Sequence, residues 1–198
     1  MTTHYFDCSI ITSDSDAGMM MSKLFTRIHG YLVENKLDNV GLSFPAYTEV
    51  HPGRILRLFS DESTLENIKS NEGIELLERT YALVRSEIKR TPEICRHAIF
   101  KRMRKFDKSS ERFIEKSTEK LIKKLEKKKV KVKKKILEKR ASILKKRFKE
   151  KIPYLRVKSR STEQGYSVFI GRFDNDNEKI GKFSGYGLSS NFSTVPVF

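Results

Sequence analysis

The chain has 198 residues, enough to bury a hydrophobic core, and it carries a formal net charge of +16. About +15 of this charge lies between Arg104 and Lys151, so we expect a polyanionic partner, with RNA, DNA and an anionic membrane surface all open. No apolar run approaches the ~18 residues of a membrane-spanning helix, and no cationic and apolar leader opens the chain. We therefore expect a cytoplasmic protein.

The first 90 residues alternate between strand and helix patterns. Strands are predicted at residues 4–11, 40–45 and 54–59. A helix is predicted at residues 18–35 from the helical spacing of Met21, Leu24, Phe25, Ile28 and Leu32. A second helix is predicted at residues 63–77, opened by Ser63 with Glu66 at the spacing of a capping box. The order strand, helix, strand, strand, helix, strand is the ferredoxin-like pattern, which predicts a domain at residues 1–90.

A second domain is predicted at residues 91–198, because Pro92 disfavours a helix at the preceding residue and the composition then turns basic. Basic helices are predicted at about residues 109–151, with hydroxyl caps at Ser109 and Ser110 and a lysine-rich interruption at residues 127–135. Further strands are predicted at residues 154–157 and 166–173. The fold class is therefore α+β.

The basic helices allow two interpretations. A lysine-rich face is often simply solvated, but so much surplus charge favours a helix that lies along a nucleic-acid groove and contacts phosphates. The predicted RNA-binding cations are Arg104, Lys108, Arg112, Lys116, Lys120 and Arg160. Charge alone does not separate specific from non-specific binding.

Three distant segments contain the candidate chemistry: His29 in the first helix, Ser159 and Ser161 after a strand, and Tyr186 near the end. An imidazole, hydroxyls and a phenol beside a basic segment suit metal-free RNA cleavage, in which the substrate's own 2′-hydroxyl is the nucleophile. Each has an ordinary structural explanation when taken alone. Cys8 and Cys95 form no CxxC pair or Cys/His cluster, so we expect reduced thiols, no metal site and no cofactor.

Six segments in series resemble one known family, the CRISPR-associated endoribonuclease of subtype I-F, which trims CRISPR precursor transcripts. They are His4-Tyr5-x-Asp7, residues 21–25 leading to His29, residues 40–45, Ser159-x-Ser161-Thr162 with an aromatic at Tyr166, residues 186–189, and Pro196-x-Phe198. The resemblance spans nearly the whole chain in the same order. It implies a ferredoxin-like domain followed by an α+β domain that contacts RNA.

The resemblance also implies a reaction and roles for individual residues. The family binds a repeat hairpin and cuts on the 3′ side of its stem base, giving a 2′,3′-cyclic phosphate and a 5′-hydroxyl without a metal. His29 matches the catalytic base, Ser159 matches the serine that holds the attacking ribose, and Ser161 is its neighbour in the motif. Tyr186 matches the tyrosine that orients the imidazole, and Tyr166 an aromatic that stacks on the stem base.

The central region departs from the family pattern. Arg104 fits the first purine-reading position, but Phe106 stands where the family has Gln, and Glu115 and Glu119 stand where arginines are expected. We expect an enzyme that stays bound to its product in a type I-F RNA-guided surveillance complex. The alternatives are a catalytically silent subunit that binds the hairpin, and a basic double-stranded nucleic-acid-binding protein unrelated to CRISPR.

Overall fold

The computed structural model describes residues 2–81, 83–107, 111–127, 135, 137–139, 142, 143, 152–158, 163–190 and 192–198. These residues belong to two compact units. One unit comprises Met1–Arg102 together with Ile152–Phe198, and the other comprises Met103–Lys151.

The first unit begins with an antiparallel sheet and its helical connections. The elements in chain order are β1 (His4–Ile10), α1 (Asp14–Glu34), β2 (Gly41–Ser43), β3 (Ile55–Ser60), α2 (Glu62–Lys69), α3 (Glu72–Tyr81), β4 (Leu83–Arg85) and β5 (Lys89–Arg90). The strand order is β2-β3-β1-β4, and β5 also pairs with β1. Phe6, Cys8 and Ile10 alternate into the core from β1, as the strand period of two requires.

Helix α1 confirms the helix predicted from apolar spacing and begins earlier, at Asp14. Asp14 and Asp16 bring negative charge to the first turn, where the helix dipole favours it. The apolar face of α1 is buried along its whole length and consists of Ala17, Met20, Met21, Leu24, Phe25, Ile28 and Leu32. His29 borders this buried face, so the helix that fills the core also carries the candidate imidazole.

The single helix predicted at residues 63–77 is wrong, because two helices occupy this region. The N-cap of α2 is Asp61 rather than Ser63, and its carboxylate accepts a hydrogen bond from Thr64 N–H. Asn71 then separates α2 from α3, because its side-chain oxygen accepts a hydrogen bond from Gly73 N–H at 3.1 Å. Such a side chain offers the backbone an alternative to continuing the helix.

The first unit contains a second antiparallel sheet, built from β6 (Arg96–Arg102), β7 (Tyr154–Lys158), β8 (Gly165–Asn175) and β9 (Val195–Val197) in the order β7-β8-β6-β9. The predicted strands at residues 154–157 and 166–173 are confirmed. Strands β6 and β9 were missed. The α+β class is confirmed, with two antiparallel sheets that share one hydrophobic core.

The second unit contains a short 3₁₀ turn, Arg104–Phe106, and helix α4 (Glu111–Lys127). Helix α4 confirms the first part of the predicted basic region. The predicted caps Ser109 and Ser110 lie outside the described residues, as does most of the chain from 128 to 151.

Both cysteines are free. Cys8 lies in the core, and burial raises the pKa of its thiol to about 12. The part of the chain that is described contains no cluster of three or more His, Cys, Asp or Glu side chains suited to a metal ion. Within the same residues, no helix is long and apolar enough to cross a bilayer.

A half-buried ion pair connects two of the sequence motifs. Arg57 on β3 donates from Nε and Nη2 to the two carboxylate oxygens of Asp7 on β1, at 2.6 and 2.9 Å. The guanidinium also lies over the rings of Tyr5 and Phe198, at 4.5 and 4.2 Å from their centroids. The first and last motif segments therefore meet at Arg57.

We predict that Asp7→Ala lowers the free energy of unfolding by about 3 kcal/mol, because it leaves the Arg57 guanidinium largely buried without its carboxylate. Asp14→Ala is a matched control, since its pair with Arg54 leaves the Asp14 side chain 99% exposed. The control should lose no more than about 1 kcal/mol in urea unfolding. Equal losses in the two variants would contradict a special role for the Arg57 pair.

Candidate active site

The His29 imidazole is held by a backbone carbonyl. Its Nδ1 lies 2.7 Å from the carbonyl oxygen of Gly185, which is 156 residues further along the chain. Because a carbonyl oxygen only accepts hydrogen bonds, Nδ1 carries the proton and donates it. In the neutral ring, Nε2 then holds the lone pair. The contact therefore defines which atom of His29 is basic.

The ring of Tyr186 covers one face of this imidazole. The Tyr186 and His29 centroids are 3.9 Å apart and the ring planes differ by 12°. Tyr186 is also nearly parallel to Phe25, with centroids 5.8 Å apart and planes differing by 11°. Phe25 and His29 are one turn apart on α1, so both rings meet the same tyrosine.

The Tyr186 hydroxyl is bound by two side chains of the second sheet. It lies 2.7 Å from the Tyr166 hydroxyl on β8, and Arg102 on β6 donates to it from Nη1 at 3.3 Å. The Arg102 guanidinium carbon is 5.4 Å from the Tyr186 ring centroid and 5.6 Å from that of Tyr166, within cation–π range. Tyr186 thus joins the imidazole of α1 to the second sheet.

Residues 184–189 form the turn that carries Gly185 and Tyr186. Gly187 has a φ of +67°, in the left-handed region that favours glycine, and a Cβ there would lie 2.5 Å from Leu42. A Cβ at Gly185 would lie 2.9 Å from Val33 on α1. Small residues on both sides of Tyr186 therefore let the turn approach α1 and β2 closely.

Main-chain hydrogen bonds attach this turn to both sheets. Leu42 N–H on β2 donates to Gly187 O at 2.8 Å, and Ser189 N–H donates to Phe100 O on β6 at 2.8 Å. These two main-chain hydrogen bonds therefore attach the turn to each of the two sheets.

Four of the predicted site residues lie outside the described residues: Ser159, Arg160, Ser161 and Lys108. The structure does describe Lys158, the residue before Ser159 in the chain. Lys158 pairs with Gly165 at the end of β7, and Gly165 precedes Tyr166. The strand that leads to Ser159 therefore ends beside the strand that carries Tyr166.

The second unit carries the other predicted RNA contacts. Arg104 is exposed in the 3₁₀ turn, whereas Phe106 is buried. Arg112 lies in α4, but its side chain is outside the described part of the structure.

Four exposed lysines of α4 form one row: Lys116, Lys120, Lys123 and Lys127. Successive members are three or four residues apart, so they lie along one side of the helix. Glu115 and Glu119 are also exposed, and Glu119 lies at the edge of this lysine row, three residues after Lys116 and four before Lys123. One side of α4 therefore carries mostly positive charge.

Residues 5–198 match the family model described as CRISPR-associated protein (Cas_Csy4). The chain belongs to this family. It is also similar to the CRISPR-associated endonuclease Cas6/Csy4 of Escherichia coli (strain UTI89 / UPEC), with 25% identity over 197 residues, 98% of this chain and 99% of the relative. The resemblance identified from the motifs is confirmed, and so is the prediction of an RNA-cleaving enzyme of the Cas_Csy4 family. The interpretation as a protein unrelated to CRISPR is wrong.

Sequence reasoning missed three groups of the candidate site. Arg102 lies in a basic stretch where no spacing distinguishes it. Phe25 was named for its helical spacing and its place in a matching motif, but was given no role at the site. The Gly185 acceptor is a backbone atom, so it leaves no side-chain signal in the sequence. The two glycines on either side of Tyr186 are typical of a turn, and they are the available signal in the sequence.

We predict that ¹⁵N NMR of the protein with the His29 ring neutral finds a proton on Nδ1 and none on Nε2, because Nδ1 donates to the carbonyl oxygen of Gly185. Tyr186→Leu removes the stacked ring, so the His29 ring protons should move downfield as the ring-current shielding disappears. Tyr186→Phe keeps the stack and should leave them nearly unchanged. His29→Ala identifies the resonances, and a spectrum with the proton on Nε2 would contradict the assignment.

Proposed function

We propose that this chain is a metal-independent endoribonuclease that binds the repeat hairpin of precursor CRISPR RNA and cuts at the 3′ side of its stem base. The observation that carries the proposal is the hydrogen bond from His29 Nδ1 to Gly185 O. It leaves Nε2 with the lone pair that a general base needs, at the position matching the family's catalytic histidine.

The proposed reaction begins when Nε2 of His29 takes the proton of the attacking 2′-hydroxyl. The 2′-oxygen then bonds to phosphorus, and the bond from phosphorus to the 5′-oxygen breaks. The leaving 5′-oxygen takes up a proton, so the products are a 2′,3′-cyclic phosphate and a 5′-hydroxyl. A general base of this kind typically contributes ~10²–10⁴ in rate, so it is worth positioning accurately.

Positioning is the proposed role of the remaining site residues. Tyr186 keeps the imidazole in one orientation, and Ser159 with Ser161 holds the attacking ribose. Holding the 2′-oxygen in line with phosphorus is the other large contribution to such a reaction. We propose that Tyr166 stacks on the base of the hairpin stem. The hydroxyls of Tyr166 and Tyr186 are 2.7 Å apart, which supports a second role for Tyr166 in holding the Tyr186 ring in place.

The proposed RNA contacts are Arg104, Lys108, Arg112, Lys116, Lys120 and Arg160. The lysine row of α4 supports a phosphate-contacting helix in a hairpin groove. Lysines make point-charge contacts, whereas arginine forks can read base edges, so we expect this helix to hold the RNA backbone.

The architecture supports two further parts of the proposal. The element order and the strand order β2-β3-β1-β4 support a ferredoxin-like domain at residues 1–90. The described strands of the first sheet precede residue 91 and those of the second follow it, which supports a change of sheet near residue 91, although both sheets belong to the first unit. We propose that residues 91–198 bind RNA. We also propose that the protein acts in the cytoplasm and keeps its product as a subunit of a type I-F surveillance complex.

The decisive experiment incubates a labelled host repeat RNA with the protein in EDTA, beside His29→Ala. We expect one cut at the stem base, a cyclic phosphate end, and a single-turnover rate at least ~10²-fold lower in the variant. Tyr186→Phe keeps the ring stack and serves as the milder comparison. Tight hairpin binding without a cut would instead favour the silent subunit, and a cut that survives His29→Ala would overturn the mechanism.

A second experiment tests the lysine row. Lys116→Gln/Lys120→Gln should lower the slope of log affinity against log salt by about 2, because each phosphate contact contributes about 0.9. The loss should be similar for hairpins of different sequence. Lys89→Gln/Arg90→Gln, two exposed cations on β5, is the charge-matched control and should change neither quantity. Equal slopes for both variants would remove α4 from the RNA contacts.

A further inference from the structure

A wide groove opens between α1, α3 and β7 in the first unit, and neither the family match nor the predicted site accounts for it. Its volume is about 1350 Å³, larger than the ~300–1,000 Å³ of typical small-molecule pockets. The wall between α1 and β7 is fixed by a hydrogen bond from Arg156 N–H to Ser22 Oγ at 3.1 Å. The size suggests a segment of a polymer rather than a small ligand.

Most of the charged residues that line the groove are cations. Among the described residues, Lys23, Arg27, Arg156 and Lys158 line it, and the single carboxylate is that of Glu163. Glu163 lies 3.8 Å from Lys158 and offsets part of its charge. The described lining thus holds more cations than carboxylates, which favours a polyanion.

Part of the lining is apolar and exposed. Met19, Val50, Leu76 and Tyr154 belong to it, and these residues are 51%, 66%, 55% and 45% exposed. Duplex RNA presents phosphates but hides the faces of its bases, so it would leave this apolar surface uncovered. Single-stranded RNA presents both, with bases to cover apolar surface and phosphates to meet cations.

The groove runs along the helix that carries His29, although His29 itself is not among its described lining residues. Gly18, Ser22 and Thr26 line it, and they share one row of α1 with His29, at steps of three or four residues. The row from Gly18 to His29 covers about 16 Å of helix axis at 1.5 Å per residue. Lys158 at the other wall immediately precedes Ser159, the proposed ribose-holding residue.

We propose that this groove binds the single-stranded RNA that continues 3′ of the scissile phosphate. The proposal rests on the proposed function, since it names where the strand leaves that site. The helix row that the groove shares with His29 favours the cut strand over the 5′ flank of the hairpin, and the excess of cations favours RNA over a neutral peptide. An acidic protein segment is the competing occupant.

The test uses the full chain and repeat hairpins with a 2′-deoxy nucleotide at the attacking position, which removes the nucleophile and stops cleavage. Three RNAs are compared: the hairpin ending just past the scissile phosphate, the same hairpin with a long 3′ extension, and the same hairpin with a long 5′ extension. Dissociation constants are measured from about 50 to 200 mM salt. Over this range three single-strand phosphate contacts predict that the 3′ benefit falls about 20-fold.

Arg27→Gln/Arg156→Gln should remove most of the 3′ benefit while leaving the affinity for the short hairpin unchanged. Lys89→Gln/Arg90→Gln, which lies outside the groove, should keep the full benefit. Cleavage of the short, unmodified hairpin is measured in parallel. It reports on the proposed function separately, and the groove variant should cut this substrate at the wild-type rate.

Three results would overturn the proposal. Equal affinity for all three RNAs would leave the groove to an acidic protein partner. Tighter binding of the RNA with the 5′ extension alone would assign the groove to the 5′ flank of the hairpin. A 3′ benefit that survives in Arg27→Gln/Arg156→Gln would move the contact elsewhere.

Discussion

The attachment of one turn to two sheets is the constraint on which the candidate site depends. Residues 184–189 take a hydrogen bond from Leu42 on β2 and give one to Phe100 on β6. Helix α1 supplies the imidazole and the Phe25 ring, whereas the acceptor of His29 and its stacked ring lie on this turn. If either sheet shifted, Gly185 and Tyr186 would move together, so the geometry of the base depends on the packing of the whole first unit.

Charge and chemistry are separated along the chain. The described contacts of His29 and Tyr186 include the Gly185 carbonyl, the Phe25 ring, the Tyr166 phenol and the charged Arg102 guanidinium. Most of the surplus positive charge belongs to the second unit. The sequence therefore places most of the attraction for RNA in a segment other than those that carry His29 and Tyr186.

The sequence predicted local features well and long-range ones poorly. Helix α1 and its histidine followed from apolar residues three and four apart, a pattern that needs no partner. Strand β6 was missed because its apolar core, Ala98 to Phe100, is short and flanked by cations, and pairing with β8 makes it a strand. The bond from His29 to Gly185 joins residues 156 positions apart. Only the family resemblance brought their segments together, and the roles of Ser159 and Ser161 still rest on it.

The acceptor for His29 is a main-chain oxygen, and this has a genetic consequence. No codon change removes a carbonyl, so a substitution at position 185 acts on the imidazole only by shifting the backbone, since a Cβ there would lie 2.9 Å from Val33. Inherited damage to the acceptor must come through the path of the backbone, for example at Gly187, where any side chain meets both Leu42 and an unfavourable φ. Among natural variants, glycine at position 187 should therefore tolerate less drift than the tyrosine beside it.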